Sequence, residues 1–174
     1  MKRSLLALAS LFVLALLARA AETPASGASH FAALDPLVGG VWIATLPPQK
    51  DQPPMRLELR LAWTENKQGV RFDSTWLIGD KRAPYTSGLY AWDAAKKSLV
   101  IFYTDSSGAL TEGTVAPEDN VLAHELTLAN QDGSVDHVRA RLTKVSPDAF
   151  TNEIFIQQGT EWNKIVEVRY ERHG

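Results

Sequence analysis

The sequence predicts an all-β protein, an antiparallel up-and-down β-barrel of about ten strands preceded by a short helical turn. Three observations point there. Beyond residue 36 the chain is a succession of short runs of β-formers broken by turn residues, with no long stretch of helical period. No helix-length segment separates one run from the next, so neighbours in sequence pair as antiparallel neighbours. A sheet of that many strands leaves two exposed edges unless it closes on itself.

The N-terminal residues lie outside that pattern. Met1-Lys2-Arg3 is a basic start, Leu5 to Leu17 is apolar, and Ala18-Arg19-Ala20 is a small-x-small cleavage site, the features of a secretory signal peptide over residues 1–20. Cleavage after Ala20 leaves 154 of the 174 residues, a normal size for one domain. It removes Lys2, Arg3 and Arg19, so 15 basic residues face 20 acidic ones and the net charge becomes −5. An acidic exported domain is a poor partner for nucleic acid or anionic lipid. With no cysteine it has no disulfides and rests on its core, for which 45 % hydrophobic residues and five Trp suffice. Residues 21–36 read as a flexible leader followed by a helical turn through His30–Leu34, capped by Ser29 and ended by Asp35-Pro36. Residues 37–174 then form a single barrel domain.

The first strand, Val41–Leu46, follows the Gly39-Gly40 pair, where positive φ lets the chain turn sharply. Trp42 in that strand is read as the plug at one end of the barrel. Residues 47–54, rich in Pro, form the one long loop because Pro cannot donate to a ladder. Met55–Thr64 alternates cleanly, with Leu57, Leu59, Leu61 and Trp63 on one face and Arg56, Glu58 and Arg60 on the other. Pairing it with Val70–Ile78 so that Trp63 opposes Val70 puts Leu61 against Phe72, Leu59 against Ser74 and Leu57 against Trp76. The outer face then sets Arg60 against Asp73. Tyr85–Trp92, Ser98–Thr104 and Ala109–Ala116 follow, the last ended by Pro117-Glu-Asp-Asn120. Val121–Ala129 and Ser134–Val145 make a second readable hairpin about Gln131-Asp-Gly133. It opposes His124 to Ala140 and Leu122 to Leu142 inside, and Glu125 to Arg139 outside. Phe150–Gln157 and Glu161–Arg172 complete the sheet.

The Gly40-x-Trp42 element at the first strand of an all-β meander resembles the signature of lipocalins and other calycins. Gly88-Leu-Tyr-Ala-Trp-Asp93, Tyr103-Thr-Asp-Ser-Ser-Gly108, Glu112-Gly113 and the closing Val168-Arg-Tyr-Glu-Arg172 are similar to an exported bacterial family of lipocalin-like domains of unknown function, related in pattern to nitrobindins. The calycin resemblance implies that an Arg from the last strand, Arg172 or else Arg169, packs on Trp42 and closes the barrel with Gly40 at that end. The nitrobindin resemblance implies a haem held by a His late in the chain. The matching stretch, Glu161 to Val168, contains no His, so no cofactor is expected.

The residues carry little chemistry beyond this. His124 shares the Leu122/Leu126/Leu128 face, and is either a ligand-contacting or haem-ligating His or an interior one hydrogen-bonded to a neighbour. His124-Glu125 and Asp136-His137 cannot converge, because adjacent strand residues face opposite ways. Four scattered His and no Cys argue against a metal site. No nucleophile elbow, phosphate loop, zinc-binding helix or dinucleotide fingerprint is present. Trp63, Trp76, Trp92, Tyr103 and Trp162 either line a cavity or fill a core, and Ser74 beside Trp76 is a polar break in an apolar wall. The reading is an exported barrel, periplasmic or secreted, monomeric or homodimeric, that binds a small apolar or aromatic ligand. Leu59, Trp63, Phe72, Ser74, Trp76, Tyr103 and His124 are its cavity candidates. The alternatives are an isomerase- or cyclase-like enzyme using His124 as acid/base, and a packed accessory domain without ligand.

Overall fold

The computed structural model describes residues 30–47 and 53–174. The signal peptide, the leader through the Ser29 cap, and residues 48–52 of the Pro-rich loop lie outside the described residues. Ten strands follow one another: β1 (Val41–Thr45), β2 (Met55–Trp63), β3 (Gly69–Ile78), β4 (Lys81–Asp93), β5 (Ser98–Asp105), β6 (Leu110–Glu118), β7 (Val121–Ala129), β8 (Val135–Ser146), β9 (Ala149–Gln158) and β10 (Glu161–His173). Each pairs antiparallel with the next, and β1 also pairs with β10, so the sheet closes in sequence order as an up-and-down barrel. Closure leaves no free edge among the described strands.

Both legible hairpins hold in register. Trp63 opposes Val70 and Leu57 opposes Trp76 across β2–β3, and His124 opposes Ala140 across β7–β8. The tight turn of the second has Gly133 at φ +85°, the left-handed position that a three-residue loop requires.

Strands β4, β6 and β10 depart from the expected bounds or from simple alternation. β4 begins four residues earlier than expected, because Gly79-Asp80 turns so tightly that Ile78 already opposes Lys81. Pro84 is tolerated inside this strand beside a bulge, where Ser74 pairs Thr86 and Thr75 pairs Pro84, leaving Tyr85 unpaired. β6 runs past Ala116 to Glu118. Its ladder to β5 ends at Val115, so Pro117, opposite Leu122 on β7, is not needed as a donor on its other side. In β10 a bulge between Lys164 and Val166 inserts one residue and reverses the faces beyond it. Trp162 consequently lies on the outer wall, where Arg139 stacks on its ring at 4.0 Å, and it does not line the interior.

One end of the barrel is sealed. The helical turn at residues 30–34 continues into a 3-10 turn, Asp35–Leu37, which accommodates Pro36 in its first turn, where no amide donor is needed. This segment drives Phe31, Leu34 and Leu37 into the barrel against Trp42 and Phe150, all buried. His30 stacks on Trp92 at 3.9 Å and Phe31 meets Trp63 edge-on at 5.7 Å. The floor is therefore built from the N-terminal turn as much as from the strands.

Candidate functional site

The floor fixes the lower boundary of the site. Trp42 is 1 % exposed and donates its indole N–H to the carbonyl of Leu37 at 2.8 Å. The Arg172 guanidinium lies 4.2 Å from the centre of the Trp42 ring. Gly40, at φ +70°, lies against the Arg172 side chain, where a Cβ would crowd it. Arg169 faces away and pairs with Glu171 at 3.3 Å.

Above the floor is a packed middle layer. His124 is 3 % exposed. Its Nδ1 is 3.0 Å from the carbonyl oxygen of Leu122, which can only accept, so Nδ1 carries the proton. Nε2 then accepts from the Tyr90 hydroxyl at 3.1 Å. Burial pushes the His124 pKa down from 6.5 to about 4, against the smaller opposing effect of its backbone bonds, and the ring is neutral at physiological pH. The same burial pushes the Tyr90 hydroxyl far above its ordinary value. Phe72 packs on Tyr90 at 5.4 Å and on Tyr103 at 5.7 Å. Ser74 is buried and bonded to the Thr86 hydroxyl, while the Thr86 amide donates to Ser74 Oγ at 3.1 Å. These polar groups satisfy one another within the wall.

Toward the opposite end the inner wall opens. Leu57, Leu59, Trp76, Tyr85 and Tyr103 are half-buried, in contrast to the floor residues. The β4 bulge is what brings Tyr85 in: Thr86 reaches Ser74 while Tyr85 meets Trp76 at 5.4 Å, so both successive side chains serve the interior. Burial raises the Tyr103 pKa above its ordinary value. Tyr85 is raised as well, by burial and by the Asp105 carboxylate.

The sequence candidates thus divide by depth. Trp76 and Tyr103 line the less covered half, Phe72, Ser74 and His124 form the packed middle, and Leu59 stands between Trp42 of the floor and Ser74 of that middle. Trp63 belongs to the floor, with Phe31. Tyr85, Thr86, Thr111, Asn152 and Tyr170 escaped sequence reading. Asn152 was detectable, since it interrupts the apolar alternation Phe150, Ile154, Ile156 just as Ser74 interrupts its own strand. Tyr85 was not, because a bulge cancels the parity on which the reading depends.

Outside the barrel, Glu125 and Arg139 pair at 2.8 Å, whereas Arg60 and Asp73, though opposite in register, do not bond. Arg60 turns to Glu58 at 2.8 Å, and Asp73 takes Arg71 and Ser87 instead. Glu58 is nearly covered on the outer wall. Arg82, with Arg60, holds its carboxyl below the usual range against the effect of burial. Among the described residues no group of three His, Cys, Asp or Glu is arranged to hold a metal. A hollow of about 260 Å³ on the outer wall is bordered by Trp162, His137, Gln157 and Glu125, and one of about 230 Å³ lies between the N-terminal turn and Phe150.

Ten antiparallel strands closed in sequence order, with one end sealed by the N-terminal turn, give the architecture of a lipocalin-like barrel. No family model matches the chain, and no curated protein matches it in sequence, so the likeness is one of architecture.

Proposed function

We propose that this protein is an exported calycin-like carrier that holds a small hydrophobic or aromatic ligand in the open half of its barrel. The observation that supports the reading is the gradient along the inner wall. Phe31, Leu34, Trp42 and Phe150 are sealed, while Trp76, Tyr85 and Tyr103, the aromatic side chains best suited to grip an apolar molecule, are left half-exposed at the other end. Export rests on the N-terminal basic, apolar and small-x-small segments. The enzymatic alternative draws no support from His124, whose two nitrogens are both engaged in a layer closed to solvent.

Titration with the neutral apolar probe N-phenylnaphthylamine tests the reading. Saturable probe fluorescence is expected, quenched when Trp76 and Tyr85 are replaced by Ala, with ligand raising the melting temperature by mass action. Absence of saturable binding would make the barrel a packed accessory domain. Mass spectrometry of protein taken from its own host under native conditions, searching for a co-purifying small molecule, then identifies the cargo.

A further inference from the structure

The turn that plugs the barrel leaves a space beside it. Phe31, Leu34 and Leu37 carry its bulk into the core. Ala32 and Ala33, the smallest side chains of the turn, border a recess of about 230 Å³ that reaches β7, β8 and β9. Leu122, Leu142 and Phe150 also line it, with Leu122 and Phe150 buried. Apolar walls that enclose such a space favour a ligand that keeps water off them. Size permits a ring, since a dry apolar cavity of about 150 Å³ already takes benzene.

The border of the recess that faces solvent is polar. Asp119 and Lys144 line it there, both exposed, and they are not paired with each other. The backbone holds them close together. The Lys144 amide donates to the Asn120 carbonyl at 2.8 Å, and Asn120 Nδ2 donates to the Lys144 carbonyl at 3.2 Å. These bonds extend the β7–β8 ladder beyond Val121↔Thr143 and set Lys144 beside the Asp119-Asn120 turn. Lys144 also lies opposite Phe150 on β9, so its aliphatic stem belongs to the apolar wall while its ammonium stays in water. One acid and one base thus stand at the edge of an apolar recess.

We infer that this recess is a second binding site, for an apolar α-amino acid of aromatic or branched type. Its side chain lies against Leu122, Leu142 and Phe150, its carboxylate faces Lys144 and its ammonium faces Asp119. A ligand with a single charge satisfies only one of the two rim groups. The site is at the plugged end, away from Trp76 and Tyr85, and does not rest on the carrier reading.

NMR titration of the isotope-labelled intact protein near neutral pH tests it. The Trp42 indole N–H is the reporter, because it donates to the carbonyl of Leu37, which borders the recess. The probes are phenylalanine, phenylpropionate without the ammonium, phenethylamine without the carboxylate, and glycine without the ring. Phenylalanine is expected to shift the Trp42 indole and the Asn120 side-chain amide saturably and to leave the Trp76 indole unmoved. It should bind about three-fold tighter than either single-charge analogue, the scale of one exposed ion pair, and glycine should not bind. Lys144→Gln is expected to lower phenylalanine to the level of phenethylamine. Asp119→Asn, which suits the backbone there at φ +49°, is expected to lower it to that of phenylpropionate. Ala33→Leu, which puts bulk into the recess, should abolish the shift; if that variant unseats the turn, the ranking of the probes on the wild-type protein decides. Equal affinity of the three ring-bearing probes would overturn the inference, as would tightest binding by either analogue. A shift at Trp76 in place of Trp42 would put phenylalanine in the other half of the barrel, and no saturable shift with any probe would leave the recess without a ligand; either result refutes the site.

Discussion

Arg172 lies across the indole of Trp42 at 4.2 Å and, from the same position, donates to the carbonyl oxygens of Gly39 and Pro36. β1 and β10 meet in the same register, with Trp42 opposite Arg172, so the seam that closes the barrel is also where the N-terminal turn is tied down. One guanidinium thus joins three elements: the last strand, the first strand and the turn that plugs the floor.

Trp42→Ala is expected to cost about 3–5 kcal/mol, the range for deleting a fully buried large aromatic. Arg172→Lys keeps the charge and loses the planar fork, so it should destabilise almost as much as Arg172→Ala. Urea unfolding of both single variants and the double variant should show coupling between Trp42 and Arg172. Additive losses would mean that the stacking contributes nothing beyond the backbone bonds.

Ser74→Trp separates the packed layer from the open one. Ser74 is buried and bonded to Thr86, so a large ring there overpacks the wall. A loss of about 1–3 kcal/mol is expected in thermal or denaturant unfolding. Trp76→Ala, in the open half, should cost less stability than its size suggests while abolishing probe binding.

Stability should depend on pH through His124. Its folded pKa, about 4, lies below the 6.5 of the unfolded chain, so between these values the unfolded state binds the proton more readily. Stability is complete above about pH 6.5, falls as pH drops toward 4 and levels off below, a change of about 3 kcal/mol for this one group. Denaturant midpoints at a series of pH values should trace that slope, and His124→Gln should remove it. A slope unchanged in the variant would assign the effect to other groups.

What the sequence discloses about this molecule follows from the reach of strand parity. Where alternation runs unbroken, as in β2–β3 and β7–β8, register and inward face could be read residue by residue, down to His124 opposite Ala140. Where one residue is inserted, everything past it inverts. The bulge in β4 hid Tyr85, and the one in β10 moved Trp162 from the expected interior to the outer wall. Side-chain partners were less legible than register. Arg60 faces Asp73 across the ladder yet turns to Glu58, because a long flexible side chain selects the best-buried carboxylate within reach.

Gly113 offers a test of strand closeness that is independent of any ligand. It lies in β6 between Ile101 and Leu126, two inward residues of the neighbouring strands, and its φ is not in the left-handed region. Backbone conformation therefore does not demand glycine there. Space does: a Cβ at Gly113 would run into the carbonyl oxygen and carbon of Glu125 and the Cα of Leu126, all main-chain atoms of β7 that no rotamer change can move. Gly113→Ala must push β6 away from β7, next to the His124–Ala140 pair. A loss of about 1–3 kcal/mol is expected, as for other overpacked sites. The displaced ladder should also expose the Tyr90–His124 hydrogen bond, so the pH slope assigned to His124 should flatten in this variant. Full stability in Gly113→Ala would mean that β6 and β7 stand further apart than the register implies.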